Sequence, residues 1–281
     1  MELRKFSKTE EQVYMPDSVS KELHPIEDKY LLKVKDDFFA TNQKQVQSED
    51  FILQANEWFQ STKLNNLSGW DKFHHMDIML GCTHFIEATC LRYGWKIQHL
   101  PNEYLYYTLN GKQPTQIDQL KENVPLIISL PIWQYCDIHP EWDKILKICE
   151  ERNINVHIDG AWFQSARHIE FDFDHPNIQS FGMSIGKGLD LQWNRIGLRW
   201  SRQKSIDSIT LMNQFDQIHH TAITCGSYIM NNVEKDYAWN KYADANKRIA
   251  DRNGLQQTNS CHVLKDTDNK LWGIGHLVAG V

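Results

Sequence analysis

The sequence predicts an α/β protein: a mostly parallel sheet with helices on both faces, followed by a small α/β C-terminal domain. Two observations support this prediction. Short apolar runs alternate with helix-like stretches through the middle of the chain, and longer polar stretches replace them after residue 200. Strands that are apolar throughout are typical of parallel sheets, because both faces of such sheets are buried. The predicted strands are 76–80, 125–130, 154–158, 178–183 and 196–200.

Helices are predicted between these strands over 84–93, 115–122 and 140–152. In the last of these, Pro140 suits the first helical position, and Glu141 and Asp143 favour the positive end of the helix dipole. Further along, the pattern predicts polar helices over 205–219 and 228–253 and a hairpin that pairs 261–264 with 271–274.

These elements divide the chain into an N-terminal arm (1–45), a large domain (46–200), and a helical linker with the small domain (201–281). The arm is charged and irregular, and we expect it to pack on the small domain or on a neighbouring subunit.

Composition excludes several classes of protein. The formal net charge of −6 provides no basic surface for nucleic acid, and no run of 18 apolar residues predicts a membrane span. The first ten residues lack the apolar core of a secretory signal. Six cysteines are scattered without a C-x-x-C pair, which favours reduced thiols and a cytoplasmic location.

The thirteen histidines do not predict a metal site. The adjacent pairs at 74–75 and 219–220 point to different sides of a helix or strand, and no H-E-x-x-H spacing occurs. We interpret these histidines as structural or surface residues.

Lys187 stands in a glycine-rich segment, and three residues of complementary chemistry surround it in the sequence. Ser184 precedes it by three positions, Arg195 follows it by eight, and Asp159 ends a predicted strand 28 positions upstream. An amine forms an imine with an aldehyde, a hydroxyl and a guanidinium bind phosphate, and a carboxylate pairs with a pyridinium nitrogen. Pyridoxal 5'-phosphate (PLP) carries all three partner groups, so we predict it as the cofactor. A lysine in such a turn is, by itself, usually a solvated surface residue.

Asp159 is the predicted partner of the pyridine nitrogen, because an opposite charge nearby stabilises the protonated ring. In an open α/β sheet, ligands bind at the carboxyl ends of the strands, where Asp159 is predicted to lie. An ordinary helix N-cap is the alternative interpretation of this aspartate.

The predicted phosphate site begins with Gly81, Cys82 and Thr83, which follow one strand and open the next helix. Backbone amides at a helix start bind anions, and Arg195 can grip a phosphate through two parallel hydrogen bonds. Many helices begin in this way, so these three residues are weak evidence without Ser184 and Arg195.

With these residues in place, the chain resembles the fold type I PLP-dependent enzymes, specifically the class I/II aminotransferases. The run 184–187, continued by 195–197, resembles the lysine signature of that group, although Asp190 and Trp193 depart from it. Residues 159–162 resemble its Asp-x-Ala-Tyr segment. The resemblance implies that Ala161 packs on one face of the cofactor ring and that Trp162 replaces the usual tyrosine.

The resemblance also assigns residues 102–107 to the segment whose aromatic side chain stacks on the other ring face. Tyr104 is our first choice and Tyr107 our second, with ordinary core packing as the alternative. The asparagine that the family usually places about 28 residues before the aspartate is absent, and neither Trp133 nor Gln134 can be assigned its role. No arginine follows Arg252 to bind a substrate carboxylate.

The resemblance implies a PLP-dependent transferase, in which Lys187 forms a Schiff base and acts on an amino acid or related amine. Transamination is the first hypothesis. The alternatives are another PLP reaction on the same scaffold, such as lyase, decarboxylase or carbon–carbon bond-forming chemistry, and a non-catalytic binding module. Family members usually build each site at a homodimer interface, so the resemblance implies a homodimer here.

Overall fold

The computed structural model describes residues 26, 28–108, 113–132, 134–186, 188–189 and 194–278. These residues form helices α1 (Lys29–Ala40), α2 (Ser48–Gln60), α3 (Gly81–Arg92), α4 (Trp142–Glu151), α5 (Ser208–Gln214), α6 (His220–Asn232), α7 (Tyr237–Asn253) and α8 (Gly275–Val278). The strands are β1 (Asn66–Ser68), β2 (His75–Met79), β3 (Leu126–Ser129), β4 (Val156–Gly160), β5 (Glu170–Asp172), β6 (Ile178–Ser184), β7 (Gly197–Ser201), β8 (Gln256–Gln257), β9 (Val263–Lys265) and β10 (Leu271–Gly273).

The central sheet has five strands in the order β2-β7-β6-β4-β3. Strand β7 is antiparallel to both of its neighbours, and the other pairs, β6 with β4 and β4 with β3, are parallel. All five strands lie within two residues of their predicted positions, so the α/β fold with a mostly parallel sheet is confirmed. The carboxyl ends of β2, β3, β4 and β6 therefore lie at one edge of the sheet.

Helices cover both faces of this sheet. On one face α2, α4 and α6 enclose an aromatic core in which the rings of Phe181 and Trp200 stack with their centroids 4.8 Å apart. On the other face α3 lies directly on the sheet. Gly182 permits this close approach, because a Cβ at that position would lie only 2.9 Å from the Phe85 ring. Strand alternation places Ser129, Asp159 and Ser184 on the α3 face.

The C-terminal strands form a three-stranded antiparallel sheet, β10-β9-β8, that packs with α7 and α8 in a second hydrophobic cluster, and β1 pairs with β5 in a separate parallel ribbon. The predicted C-terminal hairpin is confirmed as β9 and β10. The preceding helix α5 packs instead on β2 and α3, and α6 packs on α2 and α1. The boundary at residue 200 between a large and a small domain stays a prediction.

Two predicted helices are wrong. The predicted helix 115–122 is a single 3-10 turn, Ile117–Gln119, because the Gln98 side chain bonds the backbone of Lys121 and Val124 that a longer helix would use. The predicted helix 228–253 is divided between α6 and α7. Its break occurs where the Val233 carbonyl accepts a hydrogen bond from the indole of Trp58 instead of a helix amide.

The start of the described chain is fixed by Asp28. This fully buried carboxylate accepts hydrogen bonds from Tyr237, Lys241 and Tyr242, all on α7. Burial opposes its ionisation, but these donors prevail and hold the pKa of Asp28 below its usual range.

Residues 1–25 and 27 of the predicted arm lie outside the described residues. None of the helices in the described part of the chain combines the length and hydropathy that a membrane span requires.

Candidate active site

The predicted anion cradle forms at the start of α3. Gly81 has a positive φ of 71°, and a Cβ added there would lie 3.4 Å from Nη2 of Arg195. That guanidinium, which is exposed, donates a 2.7 Å hydrogen bond to the Thr83 hydroxyl. The N-cap residue Leu80 provides no side-chain acceptor for the first amides of α3. A helix start without a side-chain cap, bordered by an arginine, fits a phosphate in both charge and hydrogen bonding.

Asp159 is the second predicted feature, and it is buried at the end of β4, with 4% of its surface exposed. Its Oδ2 accepts a 2.9 Å hydrogen bond from the Tyr107 hydroxyl, and its Oδ1 accepts a 3.0 Å bond from the Ala161 amide. Donors on both oxygens favour the ionised carboxylate. The alternative of a helix N-cap is wrong, because the next helical turn, Phe163–Ser165, has Trp162 as its N-cap.

Backbone contacts connect the cradle to Asp159. Asp159 pairs with Gly182 in the β4–β6 register, and the Gly182 carbonyl lies 3.6 Å from Sγ of Cys82 in the cradle. Ala161 packs against the small apolar cluster that also contains Cys82. The structure thus brings together the predicted phosphate site, Asp159 and Ala161 at one edge of the sheet.

Ser184 ends β6 next to the cradle, directly opposite Gly197 in the β6–β7 register. Its hydroxyl donates to the Ile196 carbonyl and accepts from the Gly186 amide, both at 3.2 Å. Lys187, Asp190 and Trp193 lie outside the described residues. The described neighbour Gly188 passes so close to Gln164 that a Cβ on the glycine would lie 2.5 Å from its side chain.

The predicted aromatic residues lie around Asp159 at different depths. Tyr107 is buried and bonds Asp159, whereas Tyr104 is 50% exposed and meets the Tyr107 ring edge-on, with centroids 6.0 Å apart. Trp162 is half-buried after β4, and its ring meets His262 of the C-terminal cluster at 6.0 Å. The stacking role of Tyr104 stays a prediction.

Glu103 and Ser129 complete the site, and the sequence did not indicate either. Both Glu103 oxygens face Ser129: Oε1 accepts from its amide at 3.0 Å, and Oε2 lies 2.6 Å from its hydroxyl. Burial raises the pKa of Glu103 to about 7, although the bonds from Ser129 oppose the rise. A glutamate in a polar, aromatic segment gives no sign that its carboxyl group contacts a buried serine, so the pattern of residues 102–107 did not reveal it.

Two residues have no role assigned from the sequence, Trp133 and Gln134. Gln134 is exposed, and Trp133 lies outside the described residues.

The predicted structural histidines include His219, whose ring accepts a hydrogen bond from the Ala222 amide and caps α6. All six cysteines are buried and free of disulfide bonds.

No family model and no curated protein sequence matches the chain. Solved structures do. An aromatic aminotransferase from Pyrococcus horikoshii is 12% identical with a TM-score of 0.56, and the match covers 87% of this chain and 78% of that one. A PLP-bound C-S lyase from Staphylococcus hominis is 11% identical with a TM-score of 0.57, covering 84% and 71%. A double mutant of Thermus thermophilus aspartate aminotransferase is 10% identical with a TM-score of 0.60, covering 86% and 74%. The chain therefore has the fold of these aminotransferases and of this lyase.

Proposed function

We propose that the chain is a PLP-dependent enzyme that acts on an amino acid or a related amine, with transamination as its reaction. One observation carries the proposal. An uncapped helix start bordered by Arg195 adjoins the buried Asp159 carboxylate at the carboxyl edge of the sheet. This edge belongs to a fold that the chain shares with aminotransferases and with a PLP-bound lyase.

Each part of the site has a separate task in this proposal. The amides of Gly81, Cys82 and Thr83 bind the phosphate with Ser184 and Arg195. Asp159 holds the proton on the pyridine nitrogen, because its charge lies in a buried setting where an opposite charge acts strongly. When bound, PLP supplies the electron sink that stabilises negative charge at the substrate carbon.

The remaining residues are proposed either to enclose the cofactor ring or to take part in the reaction. Ala161 and Tyr104 enclose the cofactor ring, and Trp162 borders it beside His262. The Lys187 amine would hold the cofactor through its aldehyde group and would move the proton at the substrate α-carbon. An amine acts as a base near neutral pH only when its pKa is lowered, as burial and a cationic neighbour would do.

The cofactor assignment is tested by absorbance. The purified chain mixed with PLP should develop a visible band that borohydride removes, while Lys187→Ala should not form it. Lys147→Ala, which removes an exposed lysine of α4, is the matched control and should behave as the unmodified chain does. A chain that forms no band with added PLP contradicts the proposal.

The type of reaction needs a second experiment, because the structural relatives include a C-S lyase as well as aminotransferases. In a panel of amino acids, transamination converts the cofactor to its amine form and releases a keto acid in the first half-reaction. Release of ammonia or of carbon dioxide indicates a lyase or decarboxylase instead. Binding of PLP without a spectral response to any amine indicates a non-catalytic module.

We further propose a homodimer located in the cytoplasm. The resemblance supports the dimer, and the lack of a disulfide bond at any of the six cysteines supports a reducing compartment. Light scattering of the active protein tests the first proposal, and an active monomer contradicts it.

A further inference from the structure

Four side-chain oxygens form a continuous chain from Glu103 to Asp159. The Ser129 hydroxyl lies 2.6 Å from Oε2 of Glu103 and 3.0 Å from the Tyr107 hydroxyl. The Tyr107 hydroxyl in turn lies 2.9 Å from Oδ2 of Asp159. Ser129, Tyr107 and Asp159 are each at most 5% exposed, so water is excluded from the contacts among them, and Glu103 is half-buried.

The hydrogen-bond network from Glu103 to Asp159 has three oxygen–oxygen contacts, and each hydrogen bond needs one proton. The serine and tyrosine hydroxyls supply two. If both carboxyl groups were ionised, the serine proton would point to Glu103 and the tyrosine proton to Asp159. The 3.0 Å contact between the two hydroxyls would then hold no proton. All three contacts can be hydrogen bonds at once only if one carboxyl group supplies a third proton.

The neighbouring groups indicate which carboxyl group carries it. Asp159 accepts an amide hydrogen bond on its other oxygen and lies beside the cradle. The carboxyl group of Glu103 is desolvated, and the charge of Asp159 opposes a second charge there. Tyr107 remains protonated, since burial raises the pKa of its phenol well above the usual value. Among the described residues His99 also borders the network, with its ring 6.1 Å from that of Tyr107.

We propose that Glu103 is a positioning residue that carries the proton of this chain and thereby directs every hydrogen bond toward Asp159. In the protonated state the Glu103 carboxyl donates to the Ser129 hydroxyl, the Ser129 proton turns from Glu103 to Tyr107, and Tyr107 donates to Asp159. The network thus keeps Asp159 as its single charged carboxylate and fixes the orientation of that group. The location of the proton is independent of the cofactor, whereas its use in orienting Asp159 toward a pyridine nitrogen rests on the proposed function.

Infrared spectroscopy of the full chain without added cofactor tests where the proton lies. A protonated carboxyl group has a C=O stretching band that is well separated from the carboxylate bands. At pH 6 the unmodified chain should show this band, Glu103→Gln should lose it, and Glu87→Gln, which removes an exposed carboxylate of α3, should retain it. Retention of the band in Glu103→Gln together with its loss in Asp159→Asn overturns the proposal, and so does its absence from the unmodified chain.

A titration of the same band requires no variant. The band should disappear with a midpoint near 7, whereas a midpoint near the ordinary 4.5 overturns the proposal.

The positioning role is tested by PLP affinity, measured from fluorescence quenching. Glu103→Gln should bind as the unmodified chain does, because its amide donates to Ser129 as the acid does. Glu103→Ala should bind about tenfold more weakly, the cost of about one network hydrogen bond. Equal weakening in both variants overturns the role. If the unmodified chain binds no PLP, the proposed function fails, while the infrared result still decides the location of the proton.

Discussion

Replacing Glu103 by glutamine should change how the stability of the protein depends on pH. The carboxyl group has a pKa of about 7 in the folded chain and 4.5 when unperturbed. The folded state therefore holds this proton more tightly than the unfolded state. Its contribution to stability is fully present below pH 4.5 and is lost as the pH rises through about 7. At 1.36 kcal/mol per pKa unit, the rise corresponds to about 3 kcal/mol.

The glutamine side chain keeps the shape and the hydrogen bonds of the protonated acid but cannot lose a proton. The free energy of unfolding should therefore be nearly the same in both proteins at pH 5. At pH 8 the glutamine variant should be more stable by about 2–3 kcal/mol. Urea denaturation of both proteins at pH 5, 6, 7 and 8, followed by circular dichroism, measures the difference. A difference that stays constant over this range refutes the reasoning, because Glu103 would then titrate alike in both states.

Three further perturbations follow from the structure. Arg195→Ala should weaken PLP binding by about tenfold to a hundredfold in an equilibrium titration, because it removes charge-assisted hydrogen bonds to the phosphate; unchanged affinity contradicts the cradle. Asp159→Asn should bind PLP yet slow the amine-dependent spectral change by about tenfold or more in stopped-flow measurements, since it removes the charge opposite the ring nitrogen. Asp28→Ala should lower the free energy of unfolding by about 3 kcal/mol, because it leaves the buried Tyr242 hydroxyl of α7 without its acceptor and removes the ion pair with Lys241, whereas Asp37→Ala at an exposed pair should leave it unchanged. Because the pKa of Asp28 is lowered, its contribution is present above the ordinary value of 3.8 and is lost as the pH falls through the folded value.

The strands of the central sheet were predictable because a buried strand needs apolar side chains on both faces, whatever its neighbours are. The run at 125–130 shows this most directly, since β3 occupies nearly the same residues and is buried throughout. The break between α6 and α7 was not predictable. It depends on the indole of Trp58, a residue 175 positions away, which bonds a backbone carbonyl that the local sequence leaves to the helix.

In the candidate site, too, some residues were predictable from the sequence and others were not. Asp159 and the start of α3 were predictable, because each follows a strand and carries the chemistry that an anion or a pyridinium nitrogen requires. Glu103 and Ser129 have no such signal, because their importance comes from burial and from contact across 26 residues. Tyr104 was preferred over Tyr107 for ring stacking, yet the sequence could not show which of the two side chains is buried against Asp159.

We propose that Lys187 holds PLP at the edge of the sheet where Asp159 and the start of α3 lie. The most direct measurement is to incubate the chain with PLP, reduce with borohydride, digest, and locate the modified lysine by mass spectrometry. We predict a single stoichiometric adduct on Lys187 that Arg195→Ala diminishes at limiting PLP. An adduct spread over several surface lysines, or absent from Lys187, would contradict the account.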